Sequence, residues 1–167
     1  MILGFGHPAI VVNDLERMIE FYGKAFNFCP LSQEFESWDD NPAIDAAIGL
    51  NKSSVSGVML AGHNCYLELF EFRSPEPDGA KPDSISAAGL GLRHLCFYTD
   101  DIPGDYQRLL DLGAQTLGRP QCEKGIPAVY LRDPEGNIIE LAEFPSKEEN
   151  LINLDGISQL QGYTIDV

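Results

Sequence analysis

Two histidines and two glutamates recur at matching places in the chain. His7 opens the stretch HPAIVVNDL and His94 opens HLCFYTDDI, so each histidine is followed by six mostly apolar residues, an aspartate and an aliphatic residue. Farther along each half, Glu68 opens ELFEF and Glu140 opens ELAEF. Imidazole nitrogens and carboxylate oxygens are ligands of divalent transition metals. The pattern therefore predicts a metal site made of two imidazoles and two carboxylates.

The alternative is that these are ordinary polar side chains of strands, with each glutamate a solvated strand end. For any one of the four residues alone, that interpretation is favoured. Internal repetition changes the balance, because it occurs in two separate segments with matching offsets. The metal site is then the better hypothesis.

The same order of elements is predicted in both halves. In the first half Asp14 is a suitable helix N-cap, and apolar residues at helical spacing indicate a helix that runs to about Phe26. In the second half Asp101 is the cap, and Gly113 ends the helix. A strand precedes each helix and three strands follow it. The predicted strands are 3–12, 28–35, 54–60 and 65–72 in module 1 (residues 1–73), and 92–99, 115–122, 128–132 and 137–144 in module 2 (residues 92–145).

Three segments lie outside this repeat. Residues 37–52 form an insertion without a strand pattern, for which we expect a short helix or a lid. Residues 73–91 are rich in Pro, Gly and Ser and form a connector, and residues 146–167 are a C-terminal extension. Pro8 cannot donate to a β-ladder, so the first strand is expected to begin late or to lie at a sheet edge.

Composition is that of a soluble folded protein, and 167 residues suit a single domain spanning 1–167. The net charge of −15 and only 11 basic residues argue against nucleic acid and acidic lipid as partners. No apolar run is long enough for a membrane span, and the N-terminal residues lack the features of a signal peptide. A cytoplasmic location is expected, and the four cysteines, which form no C-x-x-C pair, are expected to be reduced thiols.

Three segments resemble the vicinal oxygen chelate superfamily, which contains glyoxalase I, methylmalonyl-CoA epimerase, extradiol dioxygenases and bleomycin- or fosfomycin-resistance proteins. They are GHPAIVVNDLERMIEFY from Gly6, HLCFYTDDI from His94 and YLRDPEGNIIELAE from Tyr130. The similarity covers residues 4–145. It implies an α+β, glyoxalase-like fold of two tandem βαβββ modules, whose eight strands form a curved mixed sheet around a metal-lined cleft.

The resemblance also implies a ligand set, because metal-binding members take their ligands from the first and last strands of each module. Here those positions are His7, Glu68, His94 and Glu140. They suit Zn²⁺, Ni²⁺, Co²⁺, Mn²⁺ or Fe²⁺ without choosing among them. Side chains two apart on a strand share a face, so the expected pocket lining is Tyr66, Phe70, Cys96 and Tyr98, with Trp38 either capping the pocket or anchoring the insertion.

The function favoured by this set is that of a metal-dependent lyase or isomerase of the glyoxalase or epimerase kind. Its substrate would be a small molecule with neighbouring oxygens, and Glu140 or Glu68 would remove a proton next to a carbonyl. One alternative is an Fe²⁺ extradiol dioxygenase that uses His7, His94 and Glu140. The other is a non-catalytic drug-binding resistance protein. A homodimer is expected in each case.

Overall fold

The computed structural model describes residues 2, 4–77, 82–120 and 127–143. The chain divides into two compact units, Met1–Ala80 and Lys81–Val167. This division falls inside the predicted connector. Within the described residues, no helix is both long and apolar enough to cross a membrane.

Unit 1 contains one sheet with two helices. The elements are β1 (Ala9–Val12), α1 (Leu15–Phe26), β2 (Cys29–Pro30), β3 (Glu36–Asp39), α2 (Pro42–Ile48), β4 (Ser54–Ala61) and β5 (Tyr66–Ser74). The sheet order is β1-β5-β4-β2, and β3 also pairs with β4. The pairing of β1 with β5 is parallel, and the pairings of β2, β3 and β5 with β4 are antiparallel.

Unit 2 repeats this plan without the β3-α2 insertion. Its elements are β6 (His94–Thr99), α3 (Ile102–Asp111), β7 (Gln115–Thr116), β8 (Ala128–Arg132) and β9 (Ile138–Glu143). The sheet order is β6-β9-β8-β7, with β6 parallel to β9 and the other two pairings antiparallel. A 3₁₀ turn at Pro82–Ser84 precedes the sheet in sequence.

Each long helix covers one face of its own sheet. The carboxylate of Asp14 accepts a hydrogen bond from the Arg17 backbone N–H at 3.0 Å, which begins α1 as predicted. Asp101 begins α3 in the same way, and Gly113 with φ +99° follows the helix end. Because the buried strand residues alternate with exposed ones, the opposite face of each sheet is left for other contacts. The core of unit 1 is formed by Leu15, Met18, Tyr22, Val58, Leu60, Leu67 and Leu69, and that of unit 2 by Ile102, Leu109, Val129, Leu131, Ile139 and Leu141.

The α+β class and the repeated modules agree with the sequence prediction, and the strand count differs. The described residues form nine strands in two sheets, one in each unit, where eight strands in one curved sheet were predicted. The additional strand is β3, and three of its four residues lie in the segment 37–52 that showed no strand pattern. Its four residues pair with β4 from Ser54 to Gly57 and are mostly exposed, so they carry no hydrophobic alternation.

Strand lengths differ at three other places. The first strand begins at Ala9 and lies at a sheet edge, as Pro8 indicated. The strands predicted at 28–35 and 115–122 are regular only at Cys29–Pro30 and Gln115–Thr116. Pro30 has no N–H to donate, and regular pairing stops there. Residues 121–122 and the extension 146–167 lie outside the described residues.

Candidate metal centre

The structure brings the four predicted ligands together as two pairs, one in each unit. His7 Nε2 lies 3.2 Å from Glu68 Oε2, and His94 Nε2 lies 3.0 Å from Glu140 Oε2. The side chains of the two histidines are 36% and 35% exposed, and those of the two glutamates are 17% and 18% exposed. Both pairs are therefore half-buried to nearly the same degree and remain accessible to an ion from solvent.

The same strand register produces both pairs. Ala9 lies opposite Glu68 in the parallel pairing of β1 with β5, and Cys96 lies opposite Glu140 in the pairing of β6 with β9. In each case the glutamate faces the residue two positions after the histidine. Since side chains two apart point to the same side of a strand, each imidazole and its carboxylate share one face.

Pro8 does not prevent this arrangement in unit 1. His7 precedes β1, and the Pro8 carbonyl accepts a hydrogen bond from the Glu68 N–H at 3.0 Å. Proline retains its carbonyl although it lacks an N–H donor. The chain is thus held beside β5 at the residue next to the imidazole.

The neighbours of the second pair are polar. Tyr130 on β8 lies opposite Glu140, and its ring centroid is 5.0 Å from that of His94. Cys96 as a residue is exposed, but partial burial of its thiol, reinforced by the charge and hydrogen bond of Glu140, raises the pKa of the thiol to about 11. Burial and the charge of Glu140 also raise the pKa of the Tyr130 phenol. In the metal-free protein both groups stay protonated at neutral pH beside the carboxylate.

Sequence reasoning missed Tyr130, although a usable signal was present. The predicted strands 128–132 and 137–144 leave only a short turn between them, and in the structure the buried Asp133 carboxylate accepts from the backbone N–H groups of Glu135 and Asn137. Residues equally distant from the centre of a hairpin turn lie opposite each other. Counting outward from 135 places Tyr130 opposite Glu140.

The neighbours of the first pair are apolar or aromatic. Met59 occupies the position opposite Glu68. Tyr66 and Phe70 lie two positions before and after Glu68 on β5 and therefore share its strand face. The Phe70 ring lies over Gly57, where an added Cβ would be 2.6 Å from two ring carbons. Glycine is required there because the ring occupies the space that a side chain would fill.

Trp38 anchors the insertion. Its indole N–H donates to Ser53 Oγ at 2.7 Å. Its ring packs edge-to-face with that of Phe70, with the two ring centroids 5.7 Å apart. The buried Asp45 carboxylate of α2 accepts from the Ser53 hydroxyl and, at 3.1 Å, from the Ser53 N–H. Of the two roles expected for Trp38, these contacts support anchoring. Tyr98 lies on the His94 face, opposite Ala142, and is 42% exposed.

The chemistry of each pair suits a divalent ion, and one pair alone is incomplete. Each His nitrogen lies at hydrogen-bond distance from a carboxylate oxygen, so both donor atoms point to one place. Among the described residues, no three His, Cys, Asp or Glu side chains form a group that could hold a metal ion. An octahedral or tetrahedral protein site needs more donors than two.

Comparison with known proteins identifies the family. The model of the Glyoxalase/Bleomycin resistance protein/Dioxygenase superfamily matches residues 4–141. The chain therefore belongs to this superfamily. No curated protein is similar enough in sequence to count as a match.

Solved structures share the fold. A glyoxalase family protein from Bacillus cereus aligns with a TM-score of 0.74 and 24% identity, over 86% of this chain and 95% of that one. The fosfomycin resistance protein FosX from Mesorhizobium loti aligns with a TM-score of 0.55 and 19% identity, over 89% and 98%. A mutant of FosX from Listeria monocytogenes, solved with Mn(II) and 1S,2S-dihydroxypropylphosphonic acid, aligns with a TM-score of 0.54 and 16% identity, over 85% and 90%.

Proposed function

We propose that this protein is a metal-dependent enzyme of the glyoxalase or epimerase type, a lyase or isomerase that removes a proton next to a carbonyl. His7, Glu68, His94 and Glu140 would be the ligands of one divalent ion. The observation that carries the proposal is the repetition of the His–Glu pair with the same register and nearly the same exposure in both units. Solvated strand residues without a shared role have no reason to keep these features in both modules.

The ion would supply Lewis acidity to a substrate that presents two neighbouring oxygens. Zn²⁺, Ni²⁺, Co²⁺, Mn²⁺ and Fe²⁺ all suit two imidazoles and two carboxylates. The Mn(II) in the structure of a FosX protein is that protein's ion. It makes Mn²⁺ a sensible first choice in titrations of this chain.

The proton would be removed by one of the two carboxylates, and their surroundings differ. Glu140 accepts a hydrogen bond from the Cys96 thiol and has Tyr130 opposite it. Ala9 and Met59 occupy the corresponding positions beside Glu68 and offer no donor. Glu68 is therefore less restrained, and we assign it the role of general base, with Glu140 as the steadier ligand.

The dioxygenase alternative requires only two histidines and one carboxylate. Glu68 would then be superfluous, yet its distance to His7 and its exposure match those of Glu140 with His94. A drug-binding protein would need neither pair. The four matched residues favour proton abstraction over both alternatives.

Metal analysis tests the proposal first. The full chain, purified without chelator, should contain close to one divalent ion for each complete ligand set by elemental mass spectrometry. After chelator treatment it should recover the ion on titration with Mn²⁺, Ni²⁺, Zn²⁺, Co²⁺ or Fe²⁺. Protein that neither holds nor gains a stoichiometric ion would remove the metal-enzyme proposal.

Isotope exchange separates the enzyme classes. With candidate 2-oxo or 2-hydroxycarbonyl compounds in D₂O, the loaded protein should place deuterium at the carbon next to the carbonyl. Glu68→Gln should lose this exchange, whereas Glu68→Asp should keep part of it. Oxygen consumption by the Fe²⁺ form without deuterium incorporation would instead support the dioxygenase.

We also propose that the protein is a homodimer, the commonest closed assembly of soluble chains. Light scattering coupled to size-exclusion chromatography measures this directly. A mass of twice the 18.4 kDa of one chain is expected. A monomeric mass over the whole accessible concentration range would contradict the dimer and leave the metal test unaffected.

A further inference from the structure

An open pocket of about 450 Å³ lies within unit 2, and one of its lining residues, Tyr130, is a neighbour of the second His–Glu pair. This volume lies within the usual range for small-molecule sites. One wall is the end of the connector, another is the segment that follows β7, and the floor is β8. The lining residues are Ser86, Ala87, Leu117, Gly118, Arg119, Ala128, Val129 and Tyr130.

The walls of this pocket are held by hydrogen bonds. The Gly118 N–H donates to the Tyr130 carbonyl at 2.8 Å, and the Tyr106 hydroxyl on α3 donates to the Gly118 carbonyl at 3.2 Å. On the other side, the buried Arg132 donates to the Ile85 carbonyl at 2.7 Å, next to Ser86. The pocket is therefore largely pre-formed, which reduces the conformational entropy that the protein loses when a ligand binds.

The chemistry of the lining selects the ligand class. Most of the lining is aliphatic or aromatic, and the charged group among these eight residues is the guanidinium of Arg119. None of the described residues that line the pocket carries a carboxylate, although the chain has 26 acidic residues against 11 basic ones. Arg119 also interacts with other protein groups, but a guanidinium has five N–H donors and can serve a ligand as well. An apolar body with one anionic end matches this lining.

Tyr130 connects the pocket to the proposed metal ligands. Tyr130 is one of the lining residues, its ring centroid lies 5.0 Å from that of His94, and it occupies the position opposite Glu140 on the neighbouring strand. The residues at the matching register position differ between the units. Phe70 and Gly57 are paired in unit 1, whereas Ala142 and Ala128 are paired in unit 2.

We propose that this pocket binds the tail of an amphiphilic organic monoacid, with its apolar body against Leu117, Ala128 and Tyr130 and its carboxylate on Arg119. The position of Tyr130 would place the other end of such a molecule toward His94 and Glu140. The substrate class would then be a monoacid whose neighbouring oxygens lie at the end remote from the carboxylate. This last step rests on the proposed metal-dependent function, whereas binding of the acid tail does not.

Phenylacetate and its uncharged analogue phenylacetamide are suitable probes, because they differ in the anionic end alone. Each would be titrated into the full ¹⁵N-labelled chain in the presence of chelator, so that the outcome is independent of metal. Phenylacetate should shift the amide signals of Gly118, Ala128 and Tyr130 and bind about tenfold more tightly than phenylacetamide, as expected for one charge-assisted hydrogen bond.

Two variants and two matched controls complete the test. Arg119→Gln should abolish the preference for the acid, and Arg17→Gln, on the exposed surface of α1, should retain it. Ala128→Leu should weaken both probes by filling the pocket, and Ala47→Leu, exposed on α2, should not. If Ala128→Leu fails to fold, Arg119→Gln decides the question by itself.

Equal binding of acid and amide, a preference that survives Arg119→Gln, or shifts confined to other residues would overturn the proposal. Failure of the metal analysis with a positive acid titration would leave this pocket standing and remove only its link to catalysis. A positive metal analysis with no acid preference would leave the metal-dependent function standing and remove the acid-binding pocket.

Discussion

The two His–Glu pairs agree in register, distance and exposure and differ in their neighbours. Beside the pair of unit 1 stand Ala9, Met59 and the Phe70 ring that covers Gly57. Cys96, Tyr130 and the paired alanines 128 and 142 take those places in unit 2. Backbone pairing alone thus positions the ligands, and the side chains around them are free to diverge. An aromatic ring packs beside the first pair, and a neighbour of the second pair, Tyr130, lines a pocket.

The equivalence of the two pairs is tested most strongly by removing their imidazoles. His7→Ala and His94→Ala should each weaken binding of the divalent ion by about a hundredfold or more, since even the loss of groups that only support metal ligands costs about 10- to 100-fold. Isothermal titration of the chelator-treated protein gives both affinities. His63→Ala, which removes the chain's third histidine, is the control and should bind like the unchanged protein. A large effect at one histidine with none at the other would break the equivalence.

The thiol of Cys96 distinguishes the second pair chemically. Its pKa is raised from 9.0 to about 11, chiefly by burial and then by Glu140, so the thiolate fraction below pH 9 is about a hundredfold smaller than for an ordinary thiol. In metal-free protein, alkylation by iodoacetamide at Cys96 should be correspondingly slow and should accelerate with pH until about pH 11. Peptide mass spectrometry measures this rate. Glu140→Gln should increase it, because the negative charge that favours the protonated thiol is removed.

The position of the Phe70 ring beside the first pair depends on Gly57. Gly57→Ala would bring a Cβ to 2.6 Å from the Phe70 ring and should displace the ring from Trp38. Such overpacking costs about 1–3 kcal/mol. Urea unfolding gives the loss in free energy of unfolding. Gly4→Ala, with no atom within 4 Å of the added Cβ, should cost much less.

The smallest expected effect comes from replacing Tyr130, opposite Glu140, by methionine, the residue type that Met59 provides opposite Glu68. Tyr130→Met should lower the free energy of unfolding by about 0.5–1.5 kcal/mol, the usual worth of an aromatic ring contact such as that with His94. Tyr98→Met, an exposed position on the same strand face as His94, is the matched control. Thermal unfolding of the two variants compares them directly. Equal losses would show that the ring contact of Tyr130 contributes nothing special.

Much of this arrangement follows from local patterns in the sequence. The helix starts at Asp14 and Asp101 follow from side-chain capping, which involves residues only three positions apart. The matching of His7 with His94 and of Glu68 with Glu140 follows from repetition. A pattern that repeats needs no knowledge of tertiary contacts to be recognised.

Other features depend on contacts that are remote in sequence. The β3 strand exists because Glu36–Asp39 pairs with β4 and because Trp38 reaches Ser53 and Phe70. Its own residues are mostly exposed, so periodicity does not reveal it. The pocket likewise requires Arg132 to hold the carbonyl of Ile85, which lies 47 positions away in sequence. No spacing rule predicts such a contact.

Trp38 is the chain's single tryptophan, and its indole is fixed between Ser53 and Phe70 in unit 1. Selectively excited tryptophan fluorescence therefore reports on the surroundings of Trp38 in module 1 and does not report on module 2. Circular dichroism reports on the backbone of both. Coincidence of the two signals during denaturation would indicate that the duplicated halves melt as one cooperative body, and separate midpoints would indicate that each half has its own stability.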